Sequence, residues 1–369
     1  MPEAATAEEV RPPFGRTRHP YFMHEMIRRQ PVALQATLAL GKDSVAGVPA
    51  PAAGRPVLFV GTGTSYHAAE ATARTAEENG FAPGLTQART AFEVANDPDR
   101  FRKSGAAVFF SASGETRVTN EALTDLRGRK VPTILITATE RGPASALADH
   151  VLLSRYADET SWTHTVSYTC ALALGQALLD HWKDGGKEPP WDADALQEAA
   201  VAALALENIA VEFIDQLSNR SEVVLTGNGS AETTAKEGAL KLREASGRFA
   251  AVNGTEELLH GTLPSVGGRC AVVALSRTAR ERDRALSGLR ASATVGALPL
   301  LIDSSGEEAE APGVTVWPVR GLGTGSLPIL QVIPLQLLAY WLAVSDGRNP
   351  DVMGLEDPKY LEARRSFRI

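Results

Sequence analysis

Short, unbroken apolar runs recur along this chain, each followed by a turn of glycine or hydroxyl residues and then by a stretch with helical spacing. The first set of runs lies at 57–60, 106–110, 133–137 and 151–153. Such runs are too short for buried helices. They are continuous rather than alternating, so they read as strands covered on both faces, the mark of a parallel sheet. Helical spacing follows at 66–79, 117–127 and 165–182, and strands alternating with helices predict an α/β fold. A second set repeats the plan, with strands at 222–226, 271–275, 298–302 and 314–319 and helices at 231–246 and 327–344. Two like halves predict a duplicated sheet domain, with a ligand crevice at the carboxyl ends of the strands.

The remaining segments frame these halves. Residues 21–31 have apolar helical spacing that Pro31 interrupts or restarts, with a further helix over 32–40. Residues 1–19, rich in Pro, Ala and charge, predict a loose arm. Gly185, Gly186, Pro189 and Pro190 mark a linker at 184–192, and helical spacing resumes over 194–218. From 346 on, the tail is polar and irregular. The division is therefore an arm at 1–20, a first domain at 21–190, a second at 191–346 and a tail at 347–369.

Candidate chemistry sits in the turns. Ser111-Ala112-Ser113-Gly114-Glu115-Thr116 joins a strand to a helix. The first N–H groups of a helix lack partners and its dipole end is positive, so small hydroxyl residues there make a cradle for a phosphate. Gly114 lets the backbone approach a ligand closely. The competing reading is that the hydroxyls only cap a helix. Gly61-Thr62-Gly63-Thr64-Ser65 is a second loop of this kind and tips the balance toward phosphate. Gly227-Asn228-Gly229-Ser230 is the same device in the second half.

Composition narrows the partner. Of 369 residues 44% are hydrophobic, enough for sizeable cores, and the formal net charge is −7. That acidity argues against a nucleic-acid or anionic-membrane surface but not against a small anion held by local donors. Cys170 and Cys270 lie inside apolar runs without metal spacing, as core residues of a reduced compartment. No apolar run reaches transmembrane length and no signal-peptide pattern opens the chain, so a cytoplasmic protein is expected.

Five motifs follow one another between residues 21 and 349. They are Met23-His24-Glu25-Met26-Ile27-Arg28-Arg29-Gln30-Pro31, Gly63-Thr64-Ser65-Tyr66, the loop from Ser111 to Thr116, Glu237-Gly238-Ala239-Leu240-Lys241-Leu242-Arg243-Glu244, and Glu257-Leu258-Leu259-His260-Gly261. Together they resemble the tandem sugar-isomerase (SIS) domain proteins, in particular the isomerase half of glucosamine-6-phosphate synthase. The resemblance implies two flavodoxin-like SIS domains, each a parallel sheet flanked by helices. It implies a homodimer with its active site near the subunit boundary, and no metal or organic cofactor. It implies a sugar phosphate held by Thr64, Ser65, Ser111, Ala112, Ser113, Gly114 and Thr116. Ala112 stands where the synthase has a glutamine, so one side-chain contact is missing. Glu159 and Trp162 align with a loop that touches the sugar. Glu244 corresponds to the base that moves a proton between C1 and C2. Lys241, one turn earlier, steadies the developing charge, and His260 opens the sugar ring, in this family often from across the dimer.

Physical chemistry weighs those roles. Proton abstraction beside a carbonyl needs a base near neutrality, which burial can make of a glutamate. From spacing alone, Glu237, Lys241 and Glu244 are also ordinary surface pairs, and His260 is also a hydrogen-bonded core histidine. Thr262 stands where the family usually has proline. No cysteine precedes Cys170 and a glutaminase domain has no room, so glutamine-dependent amination is not expected. The family's synthase forms an imine through a lysine near its C-terminus. In the closest register Arg364 or Arg365 stands there, and a guanidinium stays protonated. Lys359 fits only in another register. The expectation is an isomerase of a hexose 6-phosphate, or of an amino-sugar phosphate with loss of the amine, through an enediol-type intermediate. The rivals are a fructosamine-phosphate deglycase and a non-catalytic phosphosugar-binding regulator.

Overall fold

The computed structural model describes residues 15–184, 192–307 and 310–366. The first sheet contains β1 (Val57–Gly61), β2 (Thr86–Thr90), β3 (Ala106–Phe110), β4 (Thr133–Thr137) and β5 (His150–Leu153). The second contains β6 (Glu222–Gly227), β7 (Phe249–Gly254), β8 (Cys270–Ser276), β9 (Leu298–Asp303) and β10 (Thr315–Pro318). The orders are β2-β1-β3-β4-β5 and β10-β9-β8-β6-β7, with every pair parallel. Counted from the first strand of each half, these are one topology used twice, the flavodoxin-like order. The expectation of an α/β fold with two flavodoxin-like domains, each a parallel sheet flanked by helices, therefore holds.

Alternate residues of each central strand feed different cores. Val57 and Phe59 of β1, Val108 and Phe110 of β3, and Val223 and Leu225 of β6 face one large shared core. Leu58, Val60, Ala107 and Phe109 face a smaller outer core under the helix Arg117–Gly128. Val272 and Ala274 of β8 face the outer core under the helix Ala279–Thr294. The shared core joins the halves through the helices Phe22–Ala46, Thr64–Glu78, Val166–Asp184, Ser230–Ser246 and Leu327–Ser345.

Several sequence expectations are corrected. The chain does not break at Pro31: one helix runs from Phe22 to Ala46. Proline removes the N–H that would serve the Ile27 carbonyl, and the Gln30 side-chain amide donates to that carbonyl instead at 3.0 Å. Residues 15–20 are docked rather than loose, with Arg16 paired to Glu25 at 2.8 Å and His19 Nδ1 2.8 Å from the Tyr340 hydroxyl. The rest of the expected arm, and the expected linker apart from its ends, lie outside the described residues. The stretch 194–218 forms two helices, Ala193–Leu204 and Glu207–Leu217. The tail is not irregular throughout, since Pro358–Arg365 is helical. The segment Thr324–Ser345 is long and apolar enough to cross a bilayer, against expectation, and 89% of its apolar window is buried inside the protein. Both cysteines are buried, and burial pushes the Cys170 thiol up to about 12.

Candidate functional site

The turn after β3 is built to point donors inward. Gly114 adopts φ +68°, and its carbonyl is tied off by Ala144 N and Asn120 Nδ2. The Ala112 carbonyl is tied off by Ala138 N and the Thr137 hydroxyl. With acceptors turned outward, hydroxyls and N–H groups remain for the other side. Thr116 occupies the N-cap of the next helix but makes no capping hydrogen bond with its side chain, so mere helix capping does not account for the loop. The Gly63 turn after β1 likewise opens the helix Thr64–Glu78 with no side-chain cap.

The two turns meet at one cavity. Thr64, Ser65, Ser111, Thr137, Ser154, His164, Ser167 and Tyr168 supply its polar lining, and Ala112 adds a methyl group. Ser111 Oγ, Ser154 Oγ and Tyr168 OH are buried there without a hydrogen-bond partner. Buried polar groups are normally satisfied, so three bare hydroxyls around one space can bond a water or the oxygens of a ligand. The water-sized core of the cavity is only about 10 Å³, room for about one water. A larger ligand must sit at its mouth or spread the turns.

Thr64 connects this cavity to the second half. Its hydroxyl lies 3.2 Å from Glu237 Oε1 and 3.0 Å from Lys241 Nζ. Lys241, with no exposed surface, stands between Glu237 at 3.2 Å and Glu244 at 2.6 Å. His67 Nδ1 lies 2.7 Å from the other Glu237 oxygen. Burial alone would lower the lysine and raise both acids. The two carboxylates outweigh burial at Lys241 and hold its ammonium above the usual range. At Glu237, Lys241 and His67 outweigh burial and hold the carboxyl below its usual range. At Glu244 burial wins, and the like charge of Glu237 adds to the rise. The two acids beside Lys241 are thus shifted in opposite directions, Glu237 down and Glu244 up, a separation of the kind that acid–base sites use.

Glu159, on the loop after β5, does not line the cavity but holds Ser167, which does. Its Oε1 accepts from Ser167 N at 2.9 Å, Ser167 Oγ at 3.2 Å and Thr165 N. Its Oε2 is buried with no donor, and burial pushes this carboxyl up to about 7. Burial, with the Lys241 charge, drops His164 to about 4, so its imidazole is neutral at pH 7.

The other residues singled out from sequence lie elsewhere. On the β3 turn Ser113 is exposed, Gly114 buried and Thr116 half-buried, and none of the three lines the cavity. Trp162 is half-buried; its N–H donates to the Asp351 carbonyl. His260 does not line the cavity: its side chain is 74% exposed and pairs with Glu256 at 3.4 Å. Lys359 and Arg365 are exposed, and neither they nor Arg364 line the cavity. Sequence reasoning did not select His67, Ser154, Ser167 and Tyr168. Each lies in an apolar or helical stretch with no motif, and only folding brings them together.

Comparison with known proteins fits this geometry. The SIS domain signature matches residues 54–180 and 216–345, the segments that hold the two sheets. The chain is similar to a glutamine–fructose-6-phosphate aminotransferase (isomerizing) from Pyrobaculum aerophilum, 28% identical over 348 residues, 90% of this chain and 56% of the relative. It is 30% identical over 303 residues to the protein of that name from Shouchella clausii, covering 80% of this chain and 49% of the relative. The chain therefore spans about half the length of these curated relatives. Its fold matches the C-terminal domain of glucosamine-fructose-6-phosphate aminotransferase from Francisella tularensis with a TM-score of 0.77 at 22% identity, over 91% of this chain and 99% of that one. It matches glucosamine-6-phosphate deaminase from Thermotoga maritima with a TM-score of 0.73 at 23% identity, over 90% and 97%. At these identities the structural likeness is one of fold.

Proposed function

The chain belongs to the SIS domain family, and from that premise we propose that it is a phosphosugar aldose–ketose isomerase. The substrate is a hexose 6-phosphate, or an amino-sugar phosphate that loses its amine. The observation that carries the reading is the convergence of Ser111, Ser154 and Tyr168, three buried hydroxyls without partners, on a cavity that Thr64 links to Lys241 and Glu244. Hydroxyls and helix N–H groups of the two turns hold the phosphate. Glu244, raised by burial, takes the proton from C2 of the open-chain sugar and returns it to C1. The Lys241 ammonium stabilises the negative oxygen of the enediol stage. His260 is exposed in its own chain, so ring opening by it calls for a second copy that presents the imidazole to this cavity.

The test is incubation in D₂O with a panel of hexose and hexosamine 6-phosphates, with proton NMR for deuterium at C1 or C2 and an ammonia assay beside it. Glu244→Gln is expected to slow exchange by about 10²–10⁴-fold. Exchange at the wild-type rate in that variant removes Glu244 as the base. A second reading, a non-catalytic phosphosugar binder, draws on the exposure of His260. Binding of a phosphosugar without exchange of any carbon-bound hydrogen selects it.

A further inference from the structure

The second half repeats the Gly63 cradle but does not leave it open. One constant shift along the chain carries Gly61 and Gly63 onto Gly227 and Gly229. The backbones agree: Gly63 has φ 59° and ψ −130°, and Gly229 has φ 55° and ψ −128°. What faces the two turns differs. A Cβ built on Gly63 would meet open space, whereas one on Gly229 would collide with the Glu78 carboxylate and stand 3.0 Å from Arg277 Nη2.

Glu78 is the last residue of the first half's cradle helix. Its Oε1 accepts from Ser230 N at 2.9 Å and its Oε2 from Ser230 Oγ at 2.8 Å. Arg277 Nη1 forms an ion pair with the same carboxylate and donates to Ser230 Oγ at 2.9 Å. Arg277 follows β8, the strand equivalent to β3, so it stands where the first half has its Ser111–Thr116 loop. The same shift carries Glu78 onto Glu244 and Glu70 onto Lys236. Glu244 meets its opposite cradle only through Lys241, which bonds Thr64, while Glu78 rests directly on Ser230. Lys236 and Glu70, which the same shift makes equivalent, pair with each other at 2.9 Å.

We propose that the second cradle is an oxyanion site that the chain fills with its own Glu78 carboxylate, leaving only the first of two equivalent cradles for a ligand from solution. Removing that carboxylate strands Ser230 N, Ser230 Oγ and one face of Arg277, and a small oxyanion that takes its place stabilises the folded state by mass action. Glu281 holds the far side of Arg277 at 2.6 Å, and its charge favours a small monoanion such as formate over a phosphate dianion.

Thermal unfolding of wild type, Glu78→Ala and Glu78→Gln in chloride, formate and inorganic phosphate at matched ionic strength tests this. Oxyanion binding to the first cradle is common to all three proteins, so the difference between them reports the second. Formate is expected to raise the Tm of Glu78→Ala more than that of wild type, and of Glu78→Gln by less, because its amide keeps an oxygen for Ser230. Crystals of Glu78→Ala grown in formate are expected to show the ion between Ser230 and Arg277. Equal Tm shifts in wild type and Glu78→Ala, with no ion at that place, overturn the proposal. If Glu78→Ala does not fold in chloride, recovery by formate or phosphate supports it, and failure in both overturns it.

Discussion

Among single residues, the clearest departures from ordinary behaviour are the buried charges. Lys241 has no exposed surface and is held by two acids, an arrangement whose desolvation cost offsets much of its Coulombic gain. Glu159 gives this a measurable form. Its carboxyl is raised to about 7 by burial, above the value of the unfolded chain. The folded state therefore keeps a proton that the unfolded state has lost, across the window between the two values. Stability conferred below that window falls as pH rises through it, by up to roughly 3 kcal/mol, and levels off above. Urea unfolding from about pH 5 to about pH 8 is expected to show this decline in wild type and a flatter profile in Glu159→Gln, whose amide does not titrate. Legibility differs among these residues. Glu244 and Lys241 stand in a motif and were visible in the sequence. Tyr168 and Ser154 carry no motif; their meaning is spatial, a bare hydroxyl turned into a shared cavity.

Among elements, strands were legible where both faces are buried. β1, β3, β4 and β8 are buried at every position, so each appears as an unbroken apolar run. β2 and β7 carry no apolar run to read; β5 and β10 are sheet edges as well, but their runs at 151–153 and 314–319 are apolar enough to show. Thr86–Thr90 is polar and half-buried along most of its length, and Phe249–Gly254 ends in Asn253 and Gly254. The turns themselves were read correctly as glycine positions, for a reason the structure supplies. A Cβ on Gly61 would run into backbone atoms of Ser65 and Tyr66, which cannot swing aside as a side chain would. Gly61→Ala is expected to cost about 1–3 kcal/mol by pulling the cradle helix off its strand. Denaturant unfolding measures the loss, and phosphosugar affinity is expected to fall with it.

At the scale of the whole molecule, segments far apart in the chain, near residues 22 and 350, are fastened to each other and to the loop beside His164. Asp351, fully buried, accepts from Phe22 N at 2.9 Å and Met23 N at 2.7 Å. The Pro350 carbonyl accepts from the Thr163 hydroxyl at 2.7 Å, beside His164. Sequence pattern could not show this, since the ties join segments from opposite ends of the chain and use backbone groups. Asp351→Ala leaves the buried Met23 N–H and the part-buried Phe22 N–H unpaired and is expected to cost about 1–3 kcal/mol in chemical denaturation, while Asp351→Asn, which keeps one acceptor, costs less. The Glu70–Lys236 link carries a different consequence. Two separate identical subunits that brought these equivalent positions together would set the same residue against itself, acid on acid or base on base, with repulsion in place of attraction. Opposite charges at matching places require that each half mutate independently. That freedom exists only once two copies share a single polypeptide, so this link is a trait of the fused protein that no ancestral pair of identical subunits could have had.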